Sequence, residues 1–277
     1  KQRRAALGNN WPDEVPWSVD LSDVTYDSVS LSVASQETIP TGLYFSTDGT
    51  KMFVAGRANA TVYQYSLSTA WDLSTASYAS VSFSVSSQEN LPHSFTFNAD
   101  GTKMYVVGAS NNTVYQYTLS TAFDVSTASY ASKSFGLTSQ DSSVYGIVFN
   151  NDGTKFYGIG NTTDGIYQYS LSTAYDISTA SYDSVSLIIA SQDGTPRGVT
   201  FNNGGTKMYV CGESTDAMYQ YSLSTGYDLS TASYDSISVS VSAQGTNPAE
   251  MVFSIDGTKM YVVDYGTDAV YQYSTGL

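Results

Sequence analysis

From Ser28 to Val33 the chain alternates serine with valine or leucine, reading Ser28-Val29-Ser30-Leu31-Ser32-Val33. A period of two predicts a strand with one dry face and one wet face. Three further strands follow from short apolar runs: Leu43-Tyr44-Phe45, then Lys51-Met52-Phe53-Val54-Ala55, then Thr61 to Leu67. Asp48-Gly49 separates the second run from the third, and glycine there supplies the positive φ of a tight hairpin. Gly56 opens the connection to the fourth run, and Ser-Thr-Ala…Asp…Ser-Thr-Ala-Ser segments predict a longer polar loop after it. No segment sustains a helical period.

This pattern recurs. Tyr-Gln-Tyr stands at 63–65, 115–117, 167–169, 219–221 and 271–273, and Gly-Thr-Lys at 49–51, 101–103, 153–155, 205–207 and 257–259, each stepping by 52. A period near 50 with strand-like content means stacked or radial units. Set at Asp20, the units run 20–71, 72–123, 124–175, 176–227 and 228–277, with residues 1–19 as an N-terminal arm. Four antiparallel strands repeated about an axis give an all-β, five-bladed β-propeller. The last unit ends just after its Tyr-Gln-Tyr strand and lacks an outer strand. The serine-alternating segment 27–34 is therefore expected to pair with 269–275 and close the ring, which otherwise exposes an edge.

Charge narrows the partners. The net charge is −14 and the pI about 4.1, which disfavours nucleic acid and anionic membrane surfaces. A single cysteine, Cys211, permits no intrachain disulfide and reads as a small buried apolar residue. No run has the length of a transmembrane helix, and no signal-peptide apolar region is seen. The chain opens at Lys1, which leaves processing and trimming both open.

The unit F-x-x-D-G-T-K-M-Y-V-x-G…V-Y-Q-Y, seen at Phe97–Tyr117 and Phe253–Tyr273, resembles the YVTN-type and lactonase-like propeller repeats. Its Leu-Ser-Thr-Ala-aromatic-Asp connections also resemble repeats of phage virion proteins and bacterial surface proteins. The resemblance implies fold more than activity. It makes a non-catalytic virion component (decoration, tail or receptor-binding) the first expectation, on a virion or otherwise extracellular. A secreted or surface glycan-binding or adhesion protein comes second, and a lactonase-like metal-dependent hydrolase third.

The units diverge in two places. One follows the repeated glutamine (36, 88, 140, 192, 244); the other follows the third strand. In an up-and-down blade both connections lie at one end of the ring, which suggests a recognition face; free drift of loops is the plainer account. These segments and their flanks hold ten acids (Glu37, Glu89, Asp141, Asp164, Asp193, Glu213, Asp216, Glu250, Asp264, Asp268) against two bases, Arg57 and Arg197. The hairpin lysines at the other end read as solvated turn residues.

Glu37, Glu89, Asp141 and Asp193 each follow a repeated glutamine, and a ring of them could hold Ca²⁺, or they could be separate loop acids. Five places after each glutamine stand Thr41, His93, Tyr145, Arg197 and Ala249, a mixed set suited to a glycan or cell-surface receptor, with Tyr145 as stacking platform and Arg197 as donor. Arg57, Glu213 and Tyr265 from the second segment join that candidate site. His93 is the only histidine, and no nucleophile elbow accompanies it, so no catalytic residue is assigned. The Tyr-Gln-Tyr tyrosines are expected between blades. In the arm, Arg3, Arg4, Trp11 and Trp17 suit docking on a larger assembly, with a tail folded back on its own ring as the alternative.

Overall fold

Each blade turns first at its Gly-Thr-Lys hairpin, preceded by aspartate in four blades and by Gly204 in the remaining one, the fourth along the chain. In the computed structural model, which describes residues 16–277, Asp48 Oδ1 accepts the Thr50 amide at 3.0 Å and Gly49 adopts φ +69°. The hairpin joins Pro40–Phe45 to Lys51–Gly56; Thr61–Leu67 and Ala76–Ser84 complete an antiparallel four-stranded sheet. Further blades begin at Pro92–Phe97, Val144–Phe149, Pro196–Phe201 and Pro248–Phe253. These innermost strands touch in a closed cycle, the fifth against the first. The protein is thus an all-β, five-bladed propeller.

Closure follows the expected route. The fifth sheet takes its outer strand, Thr25–Ser32, from the start of the chain, with Ser32 opposite Ala269 and Thr25 opposite Ser274. Val33 continues the pairing by donating its amide to Asp268 O at 2.8 Å.

The core lies between blades, in five clusters each drawn from two neighbours. The last tyrosine of every Tyr-Gln-Tyr is at most 3% exposed, as expected for interblade packing. The glutamine between the tyrosines reaches the next blade. Gln64 Oε1 accepts the Val125 amide at 3.3 Å, and Gln272 Oε1 accepts the Leu73 amide at 2.8 Å; the other three blades repeat the contact. Its target is a one-turn 3₁₀ helix, such as Leu73–Thr75, capped by Asp72. This turn replaces the featureless polar loop expected from sequence, because its first residue is apolar and buried.

At Trp17 the N-terminal entry follows the alternative expected for it, a fold back onto its own ring. Arg3, Arg4 and Trp11 lie outside the described residues. Trp17 does not face outward for a partner: it stacks on Tyr209 at 6.3 Å, packs on Phe253 at 5.2 Å and covers Gly257. In the other blades Trp71, Phe123, Tyr175 and Tyr227 cover the equivalent glycines. Trp17 thus supplies the aromatic that the last unit lacks. Pro16 lies over the fourth hairpin, where Gly204 replaces aspartate and a β-carbon would collide with the proline.

The hairpin lysines are half-buried connectors rather than solvated turn residues. Lys51 Nζ donates to Phe123 O at 2.7 Å, and Lys259 pairs with Asp27 at 2.6 Å across the closing strands.

Candidate functional site at the diverged-loop mouth

The two diverged segments meet at one end of the ring, as the strand order requires. Glu37, from the first, accepts the Ala58 amide of the second at 3.0 Å.

The inner strand of every blade carries a bulge at this end. Its register slips between Pro40 and Gly42, and likewise at Pro92/Ser94, Val144/Gly146, Pro196/Gly198 and Pro248/Glu250. The residue skipped is the diverging one: Thr41, His93, Tyr145, Arg197 or Ala249. A bulge re-aims a side chain out of the ladder. Here five of them gather a mixed ring around the channel mouth.

Neighbours in that ring interlock. Thr41 Oγ1 donates to Pro92 O at 2.9 Å. His93 stacks on Tyr145 with centroids 4.4 Å apart and planes 6° from parallel. The Arg197 guanidinium sits 3.9 Å from the Tyr145 centroid, so that tyrosine is no longer a free stacking platform. Arg197 also pairs with Glu213, which accepts from the Tyr265 hydroxyl. Burial and the Glu213 carboxylate push the Tyr265 phenol up to about 12. The structure therefore brings His93, Tyr145, Arg197, Glu213 and Tyr265 into one continuous cluster.

His93 is 4% exposed, and its Nδ1 lies 3.1 Å from Val144 O. A carbonyl only accepts, so Nδ1 carries the proton and Nε2 presents a lone pair. Burial, reinforced by the charges of Arg57 and Arg197, pushes the imidazole down to about 3, and it is neutral in ordinary buffers. Its Nε2 is buried and has no partner among the described residues. Arg57 Nε is unpartnered in the same sense, as are Glu89 Oε2, Asn161 Oδ1 and Asp164 Oδ1. All five of these atoms lie at the diverged-loop end.

The carboxylates proposed for calcium do not converge. Glu37 accepts from the amides of Ile39, Ala58 and Asn59, and Glu89 from Leu91 and Ser110. Asp141 and Asp193 do the same in their own blades, reaching Thr163 N at 3.1 Å and Thr215 N at 3.0 Å. Each ties the two loops of one blade together. Among the described residues, no three His, Cys, Asp or Glu side chains form a group able to hold a metal ion. These acids form separate loop clamps, one to a blade; the fifth blade uses Asp264, because Gly245 occupies the usual position.

One residue that the sequence reading left out of the site is central. Glu250 stands on the inner strand of blade five where other blades carry Gly42, Ser94, Gly146 and Gly198. Its Oε2 accepts from Ser94 Oγ at 3.0 Å, a contact between blades two and five, which are not neighbours. Glycine at 198 admits the carboxyl, since a β-carbon there would collide with Oε1. Burial pushes Glu250 up to about 8, against opposing hydrogen bonds from Met251 N and Ser94. The four small residues against one glutamate were the available signal.

No protein-family model matches the chain, and no curated protein sequence matches it. Solved structures do. A Bacteroides uniformis protein provisionally described as a 6-phosphogluconolactonase superimposes with a TM-score of 0.51 at 17% identity, covering 81% of this chain and 64% of its own. The periplasmic gluconolactonase PpgL of Pseudomonas aeruginosa gives 0.50 at 17% identity, covering 85% and 66%. A luciferin-regenerating enzyme gives 0.54 at 12% identity, covering 89% and 95%. This chain thus spans just under two thirds of the length of the lactonase-like structures. At such identities the likeness establishes the propeller fold alone.

Proposed function

We propose that this propeller is a non-catalytic binding module that takes a polyhydroxylated, carbohydrate-class ligand at its diverged-loop mouth. The observation that carries the reading is that, among the described residues, the five buried side-chain atoms without a partner all lie at that end. Buried polar atoms in native proteins normally have a partner, protein or water, so exceptions gathered at one end of the ring favour a bound group there. Four of the five accept hydrogen bonds and one, Arg57 Nε, donates. A ligand rich in hydroxyls, with an occasional acceptor oxygen, satisfies that set. The setting proposed is outside the cytoplasm, on a surface or a larger assembly. The named neighbours are enzymes and lend no support to a virion component, the first expectation from sequence.

A glycan array probed with the purified chain tests this. Saturable binding to a defined sugar class, weakened at least tenfold in His93→Phe and in Arg57→Gln, is expected. Absence of binding across neutral and acidic sugars contradicts it.

A second reading, opening of a sugar lactone, is favoured by the names of the neighbours and by Glu250, an acid held protonated near neutrality beneath the mouth. Among the described residues no donors converge for the metal-dependent form. Acid release from glucono-δ-lactone above the spontaneous rate, lost in Glu250→Gln, selects this reading; binding without turnover selects the first.

A further inference from the structure

The opposite end of the channel holds a cavity of about 260 Å³ that none of the readings above uses. It is walled by the phenylalanine that ends every inner strand, such as Phe45 and Phe149, and rimmed by Trp71 and Tyr227. Glu250 and Ser94, which meet across the channel toward the diverged-loop mouth, do not line it. We propose that this cavity is a second binding site, for an uncharged planar aromatic molecule of about two fused rings carrying a hydroxyl or carbonyl oxygen.

Size sets the first limit. A dry cavity of about 150 Å³ takes benzene, so the larger space here admits a bicyclic ring. Wall chemistry sets the second, because aromatic faces and edges favour a flat ring between them. The rim is held open by the backbone: Trp71, Tyr175 and Tyr227 sit at φ of +64°, +58° and +61°, a region that costs bulky residues energy and fixes their rings over the hairpin glycines. Polarity sets the third. Tyr44 lines the cavity, and its phenol makes no hydrogen bond among the described residues; burial raises its pKa, so it stays a neutral donor. Thr200 adds a second hydroxyl to the wall. The hairpin carboxylates Asp48, Asp152 and Asp256, whose hydrogen bonds keep them ionised, surround this end and exclude anionic rings.

The test uses 2-naphthol as probe, by its own fluorescence and by calorimetry on the full chain. Saturable binding at one site per chain is expected. Val148→Trp, which fills the cavity from its half-buried wall position, should abolish binding, and Tyr44→Phe should weaken it about tenfold. Should Val148→Trp fail to fold, judged by circular dichroism and melting, Thr200→Leu is expected to weaken binding in its place. No saturable binding to the native protein overturns the proposal. So does binding that persists unchanged in a folded cavity-filling variant.

Discussion

Position 264 is aspartate where four blades carry glycine, and position 245 is glycine where four carry a carboxylate. The pair is a reciprocal exchange. Asp264 accepts the amides of Asn247, Gly266 and Thr267, work that Glu37 or Asp193 performs from the other loop. Asp264→Gly should cost about 2 kcal/mol by leaving those amides unpaired. Gly245→Asp alone should also destabilise, because its β-carbon meets the Asp264 carboxyl. Combined, the two changes should restore most of the loss, read as the midpoint of urea unfolding. Glu250 gives a pH signature. Its carboxyl titrates near 4.5 when unfolded and near 8 when folded. Between those values the folded state keeps a proton that the unfolded state has lost, so stability is full below about 4.5 and falls as pH rises toward 8. The fall is on the order of a few kcal/mol, and Glu250→Gln should flatten that part of the curve.

At the scale of elements, the closing strand and the interblade latches decide whether five sheets make one body. Removing residues 1–32 strips the partner from Ala269–Ser274 and takes Trp17, Val19 and Leu21 from the fourth and fifth blades. The truncated chain should melt well below the full one or associate through its bare edge, as seen by calorimetry and light scattering. Strands, hairpins and closure were legible because each rests on a local pattern: an alternation and a Gly-Thr-Lys turn repeated in five units, and a last unit left without an outer strand. The 3₁₀ turns were not, since Leu73 alone in a polar stretch shows no period. Nor was the bulge, although it is the device that aims the site. It needs the partner strand's register, and the sequence shows only that position 41 and its equivalents vary.

At the scale of the molecule, the acidic end is less of a field than its ten carboxylates suggest. Glu37, Glu89, Asp141, Asp193 and Asp264 clamp loops, and Glu250 crosses the channel. Glu213 neutralises Arg197, and Asp164, Asp216 and Asp268 occupy left-handed turn positions at φ near +52°. Their shared end of the ring was readable from spacing; their roles were not, because each depends on which amides the folded loops present. What remains without a partner among the described residues is a small buried set at this end, which includes His93 Nε2 and Arg57 Nε. Since His93 is the only histidine, one ¹⁵N-labelled imidazole reports on it without ambiguity. NMR of that ring as pH is varied, and then as the best array sugar is added, tests the central claim most directly. The account predicts a neutral Nδ1–H tautomer from pH 5 to 9 and a ligand-dependent shift of the Nε2 resonance. A ring that titrates near its ordinary value of 6.5, or an Nε2 resonance unmoved by bound sugar, would contradict it.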